Sequence, residues 1–470
     1  MSGERFEVEV ESLDHQGRGV AHRDGKAVFI DGALPGEIAV YQRHRHKARY
    51  ESGRVVTIER ESATRVVPRC PHAGLHLGAC GGCSMQHVDA RAQVAFKQRV
   101  LEDALWHLGR VRPQMMLRPI AGPAWRYRHR ARFTSRYIAK KSGVLVGFHE
   151  RASSYVADIH QCEVVPKKIS DLLLPLRDLV CALTIRERMP QIELAIGNIG
   201  GSEAIVLVFR VLQPPTAKDC AALKEFGRAN TVGIWLQPAG PDSAAPLDED
   251  QPTHLELPLP EFGIALPFSP TDFTQVNHQA NQVLVGRAIR LIEPSAADVV
   301  VDFFCGLGNF TLPLATRALK VIGFEGSASL VKRASAAAAA NGLGKRTQFE
   351  ARNLATFTGD DWRSLVERHG AVDKVLIDPP RDGALAIIQA LASAPADLKP
   401  SKIVYVSCNP ATLARDCGLL VHQGGWTLRA AGVINMFPHT SHVESIALLE
   451  PPGQPLNRGS FTSTRANISR

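Results

Sequence analysis

Between residue 5 and about residue 60, apolar and polar positions alternate in short runs: Phe6–Val10, Ala27–Ile30, Glu37–Gln42 and Arg54–Ile58. Period-two alternation marks strands with one buried face. Glycine-rich turns separate them, including Gly17-Arg-Gly19 and Leu34-Pro-Gly36, and short strands at this spacing predict a small barrel. From Arg65 to about Val88 no period is visible, and cysteine, glycine and histidine dominate. Ala90–Leu108 then carries apolar residues at 92, 95/96, 100/101, 104/105 and 108, the spacing of a helix face. Trp125–Phe133 reads as a strand, with Arg126, Arg128, Arg130 and Arg132 on one face. Strands and helices continue to about Pro270, with a Pro/Asp-rich loop at Pro238–Pro252 expected to be exposed.

From Asp298 the pattern becomes strand–helix alternation. Val299–Phe304 leads into Gly306-Leu-Gly308 and a helix, and Val321–Phe324 ends at Glu325 before an Ala-rich helix to Asn341. Thr347–Ala351 leads to Asn353, Val372–Ile377 ends in Asp378-Pro-Pro-Arg381, and Ile403–Val406 ends in Ser407-Cys408. Two more strands are expected near Trp426–Met436 and His442–Leu449. This order implies an α/β, doubly wound sheet, where ligands bind beyond the carboxyl ends of the strands. Each of these motifs falls at such an end.

The 470 residues suffice for two to four domains. No run of about 18 apolar residues is present to span a bilayer. The N-terminus alternates like a strand and has no signal-peptide core, so the expected location is the cytoplasm, with the nine cysteines reduced, metal-bound or catalytic. The net charge of +9 is concentrated: Arg65–Lys141 carries 15 Lys/Arg against Asp89, Glu102 and Asp103. Such a block is the footprint of a polyanion partner, and the four arginines of 126–132 suggest a phosphate-binding face.

Cys408 ends a β-branched run, and Asn409-Pro410 can open a helix, with Asn as N-cap and Pro in the first helical position. A thiol at a helix N-terminus is favoured as thiolate, the nucleophilic form. A buried strand-end cysteine is the bland alternative, and the neighbouring motifs decide against it. Asp302-Phe-Phe-Cys-Gly-Leu-Gly308 lets the backbone approach a cofactor, and Glu325, about twenty residues on, suits a ribose hydroxyl. The three-glycine dinucleotide fingerprint of NAD enzymes is missing, so an S-adenosylmethionine (SAM) pocket fits better. Asp378-Pro-Pro-Arg381 holds a carboxylate in a rigid turn and would also suit methylation of exocyclic amines. Cys408 breaks that tie, since amine methylation needs no nucleophile. A cysteine with SAM points to methylation of a pyrimidine carbon: a thiolate adds at carbon 6 of uracil, and a base later removes the proton from carbon 5. Glu444 is the candidate base, against the commoner fate of a salt-bridging surface acid.

Cys70, Cys80 and Cys83, with the distant Cys162, have the spacing of a zinc or iron–sulfur site, and the glycines beside them favour a cluster. The three-cysteine pattern of radical SAM enzymes is absent. Cys181, Cys220, Cys305 and Cys417 read as packing residues.

With Phe273-Thr-Gln-Val-Asn277, Asp302-Phe-Phe-Cys-Gly306, Asp378-Pro-Pro-Arg381, Ser407-Cys-Asn-Pro410 and His442-Val-Glu-Ser445, the chain resembles the RNA uracil-C5 methyltransferases, above all those acting on 23S rRNA. The likeness runs from the N-terminal barrel, similar to a TRAM RNA-binding domain, to about Leu449. It implies Cys408 as nucleophile and Glu444 as proton acceptor, and a SAM site lined by Gln275, Phe304, Asn309, Glu325, Asn353 and Asp378. It also implies a 4Fe-4S cluster on Cys70, Cys80, Cys83 and Cys162, and 23S rRNA as partner of a monomer. His72–Gly78 looks like an insertion in the first cysteine gap. The expected organisation is a TRAM/OB-like β-barrel at 1–62, a basic α+β central domain with the cluster at 63–270, a Rossmann-like SAM-dependent methyltransferase domain at 271–450 and a disordered tail at 451–470. The alternatives are the same chemistry on tRNA or another rRNA uridine, and a non-catalytic RNA-binding metalloprotein.

Overall fold

Three sheets succeed one another along the chain. The computed structural model describes residues 4–141 and 143–451; from 452 onward the expected tail lies outside the described residues. The first sheet has six strands, from Arg5–Glu9 to Tyr50–Arg60, around a small core that includes Val10, Ala21, Val28, Ile30 and Tyr41. Alternate burial along these strands is what their period-two pattern dictates. Glu37 ties the sheet to the cysteine-bearing stretch beyond it. Its buried carboxylate accepts the Leu34 N–H at 2.7 Å and the Arg65 Nε at 2.5 Å.

The second sheet is built on a hairpin, Gln191–Ile199 with Ser202–Arg210. Gly200 and Gly201 both have positive φ, which a two-residue hairpin turn requires. Arg130–Ile138 pairs with Gln191–Ala195, so this strand starts five residues later than its alternation suggested. The expected face of four arginines is therefore not formed. Arg126 sits at φ +58° and donates to the Cys162 carbonyl at 2.7 Å and to Glu163 at 2.9 Å. Arg130 bonds the Pro270 carbonyl at 2.5 Å, and Arg132 pairs with Glu193 at 3.1 Å. For Arg126, Arg130 and Arg132, internal carbonyls and carboxylates supply the partners that the alternation assigned to an outside anion, and Arg128 lines an internal cavity.

Between these sheets runs helix α1 (Ala90–Asp103), continued by a π-helical turn at Ala104–Leu108. Its buried stripe is Gln93, Lys97 and Leu101, followed by Leu105, so the inward face is rotated from the apolar positions expected. Strand β1 (Met115–Met116) then joins the edge of the third sheet.

That sheet contains β2 (Val299–Phe303), β3 (Lys320–Glu325), β4 (Thr347–Ala351), β5 (Lys374–Ile377), β6 (Lys402–Ser407), β7 (Thr427–Ile434) and β8 (Glu444–Glu450). Their spatial order is β4-β3-β2-β5-β6-β8-β7-β1. The strands from β4 to β6 are parallel, and β8 inserts antiparallel between β6 and β7. Both faces are buried, which is why the strands read as continuous apolar runs. Val300, Val321, Leu376 and Val404 pack on α2 (His278–Ile292), while Phe303, Ile377 and Tyr405 pack with residues of α3 (Leu385–Ser393) and α4 (Pro410–His422). The sites of interest cluster where the parallel strands end.

Candidate active site

Cys408 stands one residue beyond β6, half-buried, at the point where the strand gives way to α4. Asn409 caps the helix, its Oδ1 accepting the Ala411 N–H at 3.1 Å, and Pro410 fills the first turn. Asn409 Nδ2 donates to the Arg381 carbonyl at 3.0 Å, which binds the Asp-Pro-Pro-Arg turn to the Cys408 turn. Glu444 opens β8. Ser407 and Ser445 face each other across the ladder, and Ser445 Oγ donates to the Ser407 carbonyl at 3.0 Å. Because β8 runs antiparallel to β6, the start of one lies beside the end of the other, and Glu444 comes beside Cys408.

The electrostatics of this corner correct the expectation of a thiolate at rest. Burial pushes the Cys408 thiol up, Glu444 and Asp378 add to the rise, and only then does Arg381 pull it down. Burial and the neighbouring Asp378 hold the Glu444 carboxyl well above the ordinary range, and burial pushes Asp378 up to about 7. Desolvation first, and the two carboxyls after it, oppose the thiolate that the helix N-terminus favours.

On the other side of the sheet end, the turn after β2 has the backbone a cofactor needs. Phe304 has φ +64° and Gly306 φ +53°, with open space where a Gly306 Cβ would stand. Glu325, at the end of β3, accepts the Gly306 N–H at 3.2 Å and the Ser327 N–H at 3.1 Å. Asn309 and Asn281 exchange amide hydrogen bonds of 2.9 and 3.0 Å. Beneath them Asp302 is fully buried, takes a 2.5 Å bond from Thr311 Oγ1, and is pushed up to about 8 mainly by desolvation. Gln275 lies in the segment leading into α2. Asn353 is exposed and uses its side chain to cap a short turn through the Ala355 N–H at 3.1 Å. Neither makes a side-chain hydrogen bond to the other candidates among the described residues.

Cys70, Cys80, Cys83 and Cys162 line one cavity of about 100 Å³, with Gln86, Arg128 and Phe148 among its other walls. Backbone N–H groups turn toward the sulfurs: Gly82 toward Cys80 Sγ at 3.5 Å, His72 and Ala73 toward Cys70, Val164 and Val165 toward Cys162. Desolvation pushes Cys80 up to about 11 and Cys83 up to about 12. No three His, Cys, Asp or Glu side chains among the described residues close around a single metal ion.

The family model for tRNA (uracil-5-)-methyltransferase matches residues 90–451, and that for the TRAM domain matches residues 1–56. This chain belongs to the tRNA (uracil-5-)-methyltransferase family. Among curated relatives, the 23S rRNA (uracil(1939)-C(5))-methyltransferase RlmD of Cupriavidus pinatubonensis is 55% identical over 94% of this chain and 95% of its own. The enzyme of the same name from Burkholderia thailandensis is 56% identical over 94% of each. The solved Pyrococcus abyssi tRNA (uracil-54, C5)-methyltransferase, in complex with S-adenosyl-L-homocysteine, superposes with a TM-score of 0.69 at 21% identity, covering 94% of this chain and all of that one. The N-terminal sheet is thus a TRAM domain, and the fold is that of a SAM-dependent methyltransferase. No helix of the described residues is long and apolar enough to cross a membrane.

Within the family fold, the sequence reading missed several supporting residues. Asn281 was legible only as Asn277 plus one helical turn. Gln86, whose Oε1 accepts the Cys70 N–H at 3.1 Å and whose side chain also bonds Cys83, carries no motif at all. Arg381 stood out as the end of a turn rather than as the cation facing Cys408.

Proposed function

We propose that this chain methylates carbon 5 of a uridine in 23S rRNA, the residue numbered 1939 in its relatives' names, with SAM as methyl donor. The observation that carries the reading is Cys408 and Glu444 brought together at the ends of adjacent strands, beside a SAM-type turn. The target base must leave its stack to reach Cys408, at a cost of a few kcal/mol that contacts to the RNA offset. The Cys408 thiol gives up its proton to solvent water and its sulfur bonds to carbon 6, leaving an enolate whose carbon 5 is nucleophilic and Glu444 free for the later step. SAM supplies the methyl group that carbon 5 takes up. Glu444 then accepts the carbon-5 proton, the electron pair returns to the ring, and the sulfur–carbon bond breaks. A carboxylate made unstable by burial is a stronger base than one in water, as removal of a carbon-bound proton demands.

Gln275, Phe304, Asn309, Glu325, Asn353 and Asp378 are the residues we assign to the SAM site, with the Glu325 carboxylate directed at ribose hydroxyls. Cys70, Cys80, Cys83 and Cys162 are assigned to a 4Fe-4S cluster. Four thiols around a cavity of about 100 Å³, each met by N–H donors, suit a group of several atoms better than one ion. Its iron–sulfur bonds would cross-link the 70–83 loop to Cys162, and no methyl-transfer step requires it. The TRAM domain and exposed arginines such as Arg91, Arg118 and Arg136 are the surfaces we assign to RNA.

The test is anaerobically purified protein with labelled SAM and separate unmodified 23S rRNA, 16S rRNA and tRNA. 5-Methyluridine in 23S rRNA alone is the expected result. Label in tRNA would keep the chemistry and overturn the substrate, and label in none would leave an RNA-binding protein.

A further inference from the structure

Helix α1 buries two polar residues, Gln93 and Lys97, with no exposed surface on either. Lys97 Nζ donates to Asn435 Oδ1 and to the Phe437 carbonyl, each at 2.8 Å, and desolvation alone pushes it down to about 7. Gln93 Nε2 donates to the Met85 and Val88 carbonyls at 3.1 and 2.8 Å, and Gln93 Oε1 accepts the His439 N–H at 2.7 Å. Both residues therefore hold the segment 435–443, which leaves β7 and delivers Glu444.

The cysteine loop grips the same segment. The Met85 N–H donates to the His439 carbonyl at 2.9 Å, and the Ser441 N–H donates to Ser84 Oγ at 3.3 Å. Trp125 stacks on His439 at 3.8 Å, and Tyr127 OH donates to the Pro438 carbonyl at 2.9 Å. Even the TRAM domain reaches it: a Cβ on Gly17 would stand 3.3 Å from Met85 Sδ and 3.5 Å from Ser441 Cβ. An amine buried without a counter-charge costs stability, so its place here asks for a reason other than stability.

We propose that Gln93 and Lys97 are positioning residues for proton abstraction. They fix the 435–443 segment, and through it the Glu444 carboxylate relative to Cys408, together with the cysteine loop at Ser84–Met85, which Gln93 also bonds. The inference rests on Glu444 being the proton acceptor.

The experiment compares Lys97→Met with the parent, both full-length and with equal iron content, on two RNAs. Uridine RNA reports complete turnover. The 5-fluorouridine RNA reports only attack by Cys408 and methyl uptake, because no proton leaves carbon 5, the carbon–fluorine bond holds, and the adduct persists. A misplaced Glu444 is expected to slow release of 5-methyluridine roughly tenfold to a hundredfold while adduct formation changes by less than about threefold. Unreleased adduct should accumulate on uridine RNA. Lys97→Gln, which keeps an N–H donor, should recover part of the loss, and Gln93→Leu should show the same split if Lys97→Met folds poorly. Equal slowing of both reactions, or of neither, overturns the proposal. Failure of the parent itself to form the fluorouridine adduct would instead sink the reading on which it rests.

Discussion

The four cysteines around the cavity and the single Cys408 are all desolvated thiols held above their ordinary pKa, yet the groups facing them differ in kind. Around the cavity the thiols meet one another and N–H donors, from the backbone at Cys70, Cys80 and Cys162 and from the Gln86 side chain at Cys83, which stabilise sulfur carrying negative charge without competing for its proton. Around Cys408 the facing groups are two carboxyls and one arginine, so each change of charge in the corner is felt by the thiol. Burial alone therefore does not tell a ligand from a nucleophile. What separates them is the N–H donor that meets each cavity thiol and the pair of carboxyls that faces Cys408.

The comparison breaks most sharply at Cys408 itself. Cys408→Ala should lower turnover roughly ten-thousandfold or more, while SAM binding, followed by calorimetry, stays within error of the parent. Glu444→Gln is expected to cost roughly a hundredfold to ten-thousandfold and to trap RNA as an adduct that survives denaturing electrophoresis; free release of methylated RNA by this variant would remove Glu444 from the base role. On the cavity side, Gln86→Leu deletes the side chain that bonds both Cys70 and Cys83. Iron retention against a chelator should weaken about tenfold to a hundredfold, with methyl transfer by the iron-loaded fraction little altered.

The smallest effects are shifts of pH. Alkylation of Cys408 should speed up as pH rises, because only the thiolate reacts. Asp378→Asn removes a negative charge that opposes the thiolate and should move that rise to lower pH. Arg381→Met removes the opposing cation and should move it to higher pH. Identical profiles for parent and variants would mean that the corner charges do not govern the thiol.

The strand-end positions of Asp302, Glu325, Asp378 and Cys408 were legible because parallel strands buried on both faces produce unbroken apolar runs, with the chemistry at their tips. Glu444 was legible as the start of a strand, but its place beside Cys408 was not, since no periodicity tells where an antiparallel strand inserts. The arginines of 126–132 misled because alternation looks the same whether the charged face meets solvent or internal carbonyls. Arg126 at φ +58° is a turn that no pattern of side chains announces. Lys97 was invisible for a related reason: a lysine inside a helical pattern reads as its wet face, and only the Asn435 and Phe437 oxygens make the inward position tolerable. The helix N-terminus at Cys408 was legible as geometry, but the burial and the two carboxyls that raise its thiol were not.

The pairing of Ser407 with Ser445 bears on which changes of chain length the site tolerates. The stretch 409–443 separates nucleophile from base along the chain; the sheet ladder sets which backbone positions stand side by side, and the 435–443 segment aims the Glu444 side chain. A change of length in the turn after α4 would leave the Ser407–Ser445 pairing in place as long as the ladder holds. A slip of a single residue between β6 and β8 would turn Glu444 toward the opposite face. Ladder register, rather than the length of that turn, decides which way Glu444 faces.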